Sequence, residues 1–406
     1  GTKSLTLDLR FAEPVTLDSL RLVSTSEGGA GTPKSFRFQV LKGRRWKTLA
    51  EAKDSFSPRS VLRFKATEAA EWRLEVLDVI NDRWGVRIDE LELRQLEAAP
   101  WPAVAEPTPD QRTINTAIER GMKWLQDARG ADGNWATGDT KEFPMGVLAL
   151  GGLALRKSGM DRDDPLVLDI VERLAGMELT KVYSVSLQAM FLRAVSRERY
   201  VDRLRECAEW LIDKQAGDGL WGYPDGRPDL SNAQYALLAL KAAAEVGIEI
   251  PDKVYQRVID GLVRDQTKDG GYGYVPARKG AKADPLTGSM TAAALACLDI
   301  ATKALPRDRA RQQKSEAVIK DAMTWLDAHY AVELNPGSHQ SHYYWLYGLE
   351  RVGAFFDRKQ VGDRPWYRDG ADGLIRWQWR NGSWHDDFAD TCFALLFLRR
   401  ASVTGD

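Results

Sequence analysis

The stretch W-Q-W-R-N-G-S-W-H-D-D-F-A-D-T-C-F-A-L-L-F-L, residues 377–398, decides the fold. It holds a helix end, a glycine-aromatic turn, an acidic cluster and the start of an apolar helix. The phrase Q-x-x-x-G-x-W occurs in it as Gln378, Gly382 and Trp384, and again upstream as Gln215, Gly219 and Trp221. A tyrosine version uses Gln266, Gly270 and Tyr272, and a stretched version Gln126, Gly133 and Trp135. Each part has a physical job. Glycine lets the chain turn after a helix. The aromatic ring packs under the next turn, and the glutamine amide can bridge backbone groups. The tryptophans and glutamines therefore read as structural.

Around these turns two classes of helix alternate, with a period of 3.6. One class is amphipathic and ends near an aromatic residue, as at Trp124, Trp210, Trp325 and Trp377. The other is apolar nearly all round, as in M-G-V-L-A-L-G-G-L-A-L or T-A-A-A-L-A-C-L, and such a helix must be buried on all sides. Trp135 and Trp221 are 86 residues apart, Trp221 and Tyr272 51, and Tyr272 and Trp384 112. These intervals fit two, one and two helix pairs. Counting the skipped pairs gives six hairpins over residues 111–405, a closed (α/α)6 toroid with an inner and an outer ring.

Residues 1–96 have period 2 instead. S-L-T-L-D-L, S-L-R-L-V, S-F-R-F-Q-V, S-V-L-R-F, W-R-L-E-V and I-D-E-L-E-L follow one another at short spacing, which predicts a small β-sandwich. Residues 97–110 carry four prolines and read as a stiff linker. The fold class is thus multidomain, α and β.

Lys plus Arg number 57 and Asp plus Glu 58, so there is no basic footprint for nucleic acid and no polybasic membrane patch. The longest apolar run, Met145 to Leu155, is too short to span a bilayer. Cys207, Cys297 and Cys392 lie in apolar helical contexts and read as buried free thiols. No leader is present, and the chain starts at Gly1 in a strand-like pattern. The expectation is an extracytoplasmic protein, periplasmic or secreted.

The Q-x-x-x-G-x-W turns between alternating helices resemble the terpene cyclase/protein prenyltransferase superfamily, the squalene-hopene cyclase-like α/α toroids. That resemblance implies a toroid and leaves the chemistry open, because cyclases, prenyltransferase subunits and non-catalytic proteins share it. P-K-S-F-R-F-Q-V-L-K-G-R-R-W-K-T-L and the closing W-G-V-R-I-D-E-L-E-L resemble the discoidin (coagulation factor 5/8 C-terminal) family, whose members often bind glycans or membrane surfaces.

In a toroid the N-termini of the inner helices gather at one mouth, where free N–H groups make a polar site. The candidates there are Glu142 and Phe143, then Tyr183, then Asp229, Asn232 and Tyr235. His339, His342 and Tyr343 follow, and last His385, Asp386, Asp387, Phe388 and Asp390. The ordinary use of the acidic ones is as N-caps, with Asp390 before Thr391 as one example. Proton-initiated cyclisation needs crowded carboxylates, one of which keeps its proton. Asp387-Phe388-Ala389-Asp390-Thr391 aligns with the superfamily's D-x-D-D-T, but Ala389 stands at the proton donor, which argues against squalene cyclisation. Asp161-Arg162-Asp163-Asp164 also matches as a string, but Pro165 follows it and a loop with a helix cap is expected. The prenyltransferase-like reading needs zinc. Three of the four histidines fall at these helix starts, so His339, His342, Asp387 and Asp390 form the candidate set for a divalent metal such as zinc. Asp387, Asp390 and His342 are the candidate catalytic residues. Tyr183, Asn232, Tyr235, Tyr343 and Phe388 are the candidate ligand contacts.

Three functions follow. The first is an isoprenoid-like ligand bound or transformed at the mouth or cavity of the barrel. The second is a carbohydrate-active enzyme, with paired carboxylates drawn from Glu142, Asp229, Asp387 or Asp390 and a glycan-binding β module. The third is a non-catalytic interaction module. Substrate, partner and oligomeric state are not legible.

Overall fold

The computed structural model describes residues 5–24, 30–53, 55, 59–80, 85–94, 109–224, 226–276, 284–338 and 340–402. The chain forms two compact units. One is Gly1–Thr108 with His329–His342; the other is Pro109–Ala328 with Tyr343–Asp406. Residues 97–108 of the expected linker lie outside the described residues.

Among the described residues the first unit is built on five strands, β1 (Leu5–Val23), β2 (Pro33–Lys42), β3 (Arg45–Ala52), β4 (Arg59–Val79) and β5 (Glu90–Arg94). They make one antiparallel sheet in the order β3-β2-β4-β1-β5. Segments that read as separate short strands are continuous here. L-T-L-D-L and S-L-R-L-V both fall in β1, and S-V-L-R-F and W-R-L-E-V both fall in β4. The β1–β4 register slips between Arg10 and Val15, where Pro14 cannot donate to the ladder, and again between Leu17 and Ser19. On one side of these slips β4 pairs with β2, and on the other β1 pairs with β5. Leu20 and Leu22 from one half share a core with Phe36, Phe38, Val40, Trp72 and Leu74 from the other. The breaks that the alternation suggested are bulges, and Leu5 and Leu7 at the start of β1 are exposed. A smaller cluster joins Ile80 to Ala331 and Leu334.

The second unit contains twelve helices among the described residues. The outer ones are α1 (Gln111–Asp127), α3 (Pro165–Ala175), α5 (Val201–Asp213), α7 (Asp252–Asp265), α9 (Arg309–His329) and α11 (Trp366–Trp377). The inner ones are α2 (Pro144–Lys157), α4 (Val182–Val195), α6 (Leu230–Ala244), α8 (Gly288–Ala304), α10 (His342–Phe355) and α12 (Phe388–Leu398). The inner helices are apolar on every face and buried along nearly their whole length, as such sequences require. α2 packs on α4, α4 on α6 and α6 on α8. A Cβ on Gly348 of α10 would lie 3.3 Å from Ala292 of α8. Tyr344 and Tyr347 of α10 meet Phe393 of α12, and α12 returns to α2, so the ring closes.

The outer-to-inner turns hold the ring together. Each buried aromatic donates to a carbonyl ten residues back, which satisfies a polar group that burial would otherwise strand. Trp135 Nε1 donates to Leu125 O at 2.8 Å, and Trp221 Nε1 to Leu211 O at 2.7 Å. Tyr272 Oη donates to Leu262 O at 2.9 Å, and Trp384 Nε1 to Leu374 O at 2.8 Å. The glutamines tie each turn to the next outer helix. Gln215 Nε2 donates to Gly219 O and to Val254 O of α7, both at 3.0 Å. Gln266 Nε2 reaches Gly270 O and Val318 O of α9. Gln378 Nε2 donates to Gly382 O and to Ala117 O of α1, both at 2.8 Å, and thereby joins the last hairpin to the first.

The first turn differs from its sequence reading. Gln126 does not hold it. Arg129, at the same four-residue offset from glycine, donates Nε to Gly133 O at 2.8 Å and pairs with Asp169 of α3. The stretched phrase is thus a regular one with arginine in the glutamine's place. Among the described residues, no helix is long and apolar enough to cross a membrane.

Candidate functional site

At the start of α12 the acidic cluster is committed to local structure. Asp387 is the N-cap, its Oδ1 accepting from Asp390 N at 2.9 Å. The capping role expected of Asp390 falls to Asp387, because the helix starts at Phe388 and Asp390 lies inside its first turn; Thr391 Oγ1 is engaged as well. It donates to Asp387 O at 2.7 Å and accepts from Trp384 N at 3.1 Å. The Asp390 carboxylate instead meets His385 Nδ1 at 3.0 Å. His385 and Asp386 both have left-handed backbone, φ 58° and 52°, which a non-glycine residue rarely adopts. Asn381 Nδ2 braces Asp386 at 2.9 Å. Tyr343 is buried and meets His385 edge-on, with 5.5 Å between ring centres. Phe388 is buried against Trp135. Asp164, as expected, caps α3, accepting from Leu166 N at 2.8 Å.

His342 is buried, and its Nε2 lies 2.6 Å from Val332 O, which makes that nitrogen a donor to the carbonyl. His339 lies outside the described residues. Among the described residues no group of three or more His, Cys, Asp or Glu side chains is placed to hold a metal ion. The three cysteines are buried and unpaired. Burial pushes the Cys207 and Cys297 thiols up to about 12, so neither supplies a thiolate at neutral pH.

The other mouth residues form an aromatic spine through the ring. Phe143 meets Tyr183 edge-on, and Tyr183 meets Tyr235 edge-on at 4.8 Å. Tyr235 stacks near Tyr344, Tyr344 meets Phe393, and Phe393 stacks on Tyr347. Burial raises the hydroxyls of Tyr183 and Tyr235 far above the ordinary phenol range, so both stay neutral. Asp229 caps α6, taking Asn232 N and Nδ2 at 2.8 Å each. Gln234 Nε2 and Ser231 Oγ meet Tyr344 Oη at 2.8 and 3.0 Å. Tyr183, Asn232 and Tyr235 are thus brought together, as packed interior. At the rim, Lys181 lies over the Phe143 ring and pairs with Glu142 at 3.1 Å.

Space opens at the opposite end. A cavity of about 300 Å³ lies among the C-terminal ends of α2, α4, α6 and α10. Leu153, Met190, Leu238, Ala242, Tyr347 and Phe355 form its apolar wall. Lys157, Arg193, Arg197, Lys241 and Arg351 bring positive charge, against one carboxylate, Glu245. Cations in the last turn of a helix complement its dipole, and Lys157, Arg193 and Lys241 are of that kind. Arg193 and Lys241 both pair with Glu245, the first at 3.0 Å.

Arg351 is different. It lies one turn inside α10 and is 1% exposed, and among the described residues none of its three side-chain nitrogens has a hydrogen-bond partner. Its guanidinium carbon lies 3.9 Å from the centre of the Tyr347 ring, a cation–π contact. Glu350 does not serve it: both oxygens of that carboxylate are taken by Ser402, from N at 3.0 Å and Oγ at 2.6 Å. Arginine cannot shed its proton, so this site keeps a full charge out of water. Sequence reasoning that looks for chemistry at helix starts does not reach Arg351. The available signal was a Glu-Arg pair in the middle of a helix otherwise rich in aromatic and aliphatic residues.

No protein-family model matches the chain. A probable squalene–hopene cyclase from Sinorhizobium fredii is 26% identical over 251 residues, covering 60% of this chain and 35% of that protein. A squalene–hopene cyclase from Bradyrhizobium diazoefficiens is 27% identical over 189 residues, covering 45% of this chain and 26% of that one. The chain therefore spans about a third or less of the length of these relatives. Among solved structures, the ligand-free type II terpene cyclase MstE from Scytonema aligns with a TM-score of 0.49 at 14% identity, over 71% of this chain and 99% of that one. A family 76 glycoside hydrolase from a bovine Bacteroides thetaiotaomicron strain aligns with a TM-score of 0.49 at 10% identity, over 98% and 96%.

Proposed function

We propose a function from the premise that the helical unit belongs to the terpene cyclase-like α/α toroid superfamily. It binds a short isoprenoid-like ligand in the cavity at the C-terminal ends of the inner helices, and it does not carry out proton-initiated cyclisation. The carrying observation is the cavity, with its wall of Leu153, Met190, Leu238, Tyr347 and Phe355. About 300 Å³ is at the lower end of small-molecule sites, which suits a short prenyl chain and not a triterpene. Apolar walls bind such chains through the area they remove from water.

The absence of cyclisation rests on the start of α12. The acid expected there needs a carboxylate that keeps its proton. Ala389 occupies that position, Asp387 accepts a backbone N–H as a cap, and Asp390 pairs with His385.

Two measurements test the reading. Calorimetric titration with farnesol should give one site per chain. Incubation with squalene, followed by gas chromatography, should return squalene alone. A cyclic triterpene product, or no heat with farnesol, contradicts it.

A further inference from the structure

We infer that the C-terminal cavity recognises a carboxylate, and that Arg351 is the residue that takes it. The inference rests on the ligand-binding reading above and deepens it by naming the head group. Three observations carry it. First, Arg351 lines the cavity, is 1% exposed, and leaves Nε and both Nη nitrogens without an acceptor. A guanidinium offers parallel N–H groups in a fixed fork that matches the two oxygens of a carboxylate.

Second, the acidic residues nearby are engaged elsewhere. Glu350 is held by Ser402, and Glu245 pairs with Arg193 and Lys241. No carboxylate of the wall therefore neutralises Arg351 from within. Third, Tyr347 covers one face of the guanidinium, a contact made through that face and not through its N–H edge. Tyr235, further along the spine, also has a buried hydroxyl with no partner among the described residues. The apolar wall takes the ligand's tail. The ligand class is thus a small amphiphilic carboxylate, with its head at Arg351 and its chain among Leu153, Met190, Leu238 and Phe355.

The test compares head groups on one tail, using sodium decanoate, decanol and decyl phosphate below their micelle concentrations. Each is titrated calorimetrically into the full chain. Wild type is expected to bind decanoate at least tenfold more tightly than decanol, and more tightly than decyl phosphate. Arg351→Met should bind decanoate and decanol alike, with an unchanged far-UV circular dichroism spectrum. Arg351→Lys, which keeps the charge but not the fork, should recover only part of the preference. Should Arg351→Met fail to fold, Arg351→Lys alone decides between fork and charge. Equal binding of decanoate and decanol by wild type overturns the head-group assignment and leaves apolar binding standing. Tighter binding of decyl phosphate overturns the carboxylate. An undiminished preference in both variants overturns Arg351, and no binding of any of the three overturns the cavity as a site altogether.

Discussion

Glu350 and Arg351 are neighbours in sequence, both buried in α10, and only one of them is satisfied. Burial pushes the Glu350 carboxyl up to about 7, against the opposing pull of the Ser402 hydrogen bonds and the Arg351 and Arg400 charges. Its folded pKa lies above its unfolded one, so its contribution is fully present below about 4.5 and is lost as pH rises towards 7. The penalty at neutral pH is about 3 kcal/mol. Glu350→Gln should remove this component. In urea melts at pH 4.5 and pH 7.5, the stability of the variant relative to wild type is expected to rise by that amount at the higher pH. A difference that does not change with pH would show that the Glu350 carboxyl has the same pKa folded and unfolded. Neither residue is marked by the sequence as chemistry, because each lies mid-helix and no periodicity distinguishes a satisfied charge from an unsatisfied one. The helix starts were more legible. Asp164 and Asp229 are caps because short acidic side chains before apolar runs have that use, while α12 starts earlier than expected, at Phe388, which makes Asp387 the cap and places Asp390 in the first turn.

The turns are the elements that the sequence made plainest, since glycine, glutamine and an aromatic ring at fixed offsets have few other uses. Gly382 shows why glycine is required. Its φ is +98°, and a Cβ would lie 2.5 Å from Arg120 O on α1. Gly382→Ala therefore combines left-handed strain with a backbone clash and should cost about 2–4 kcal/mol in thermal or urea denaturation. Gln378→Ala leaves the Ala117 and Gly382 carbonyls without their donor and should cost about 1–2 kcal/mol. Arg129→Ala should behave like Gln378→Ala, because it removes the equivalent tie between the first turn and α3. If Arg129→Ala costs nothing while Gln378→Ala does, the two are not equivalent ties. The arginine was hard to read because the same job is done by a different donor. In the β unit the difficulty was different. Alternation gives the face of a strand and not its ends, so bulges at Pro14 and near Leu17 read as strand breaks.

At the scale of the whole molecule, the helical ring is a closed chain of hairpins, tied last to first by Gln378, and its interior is divided. Aromatic rings from Phe143 to Tyr347 fill it from the N-terminal mouth, and a cavity remains at the other end. The ring was legible because helix class and turn spacing repeat. The cavity was not, because its volume depends on how side chains from four separate helices meet. The segment between α9 and α10 also escaped the sequence, since nothing local says that residues 329–342 group with the β unit. Removing residues 1–108 takes Ile80 from Ala331 and Leu334, so proteolysis should cut within 329–342 faster in the truncated chain. The central claim is that the C-terminal cavity is the binding site. It is tested most directly by filling that cavity and titrating with farnesol. Ala242 is on its wall, and Ala242→Trp places an indole in the space without touching the turns or α12. The variant is expected to keep its helical circular dichroism and to lose farnesol binding at least tenfold relative to wild type; a folded variant that binds farnesol as tightly as wild type would contradict the account.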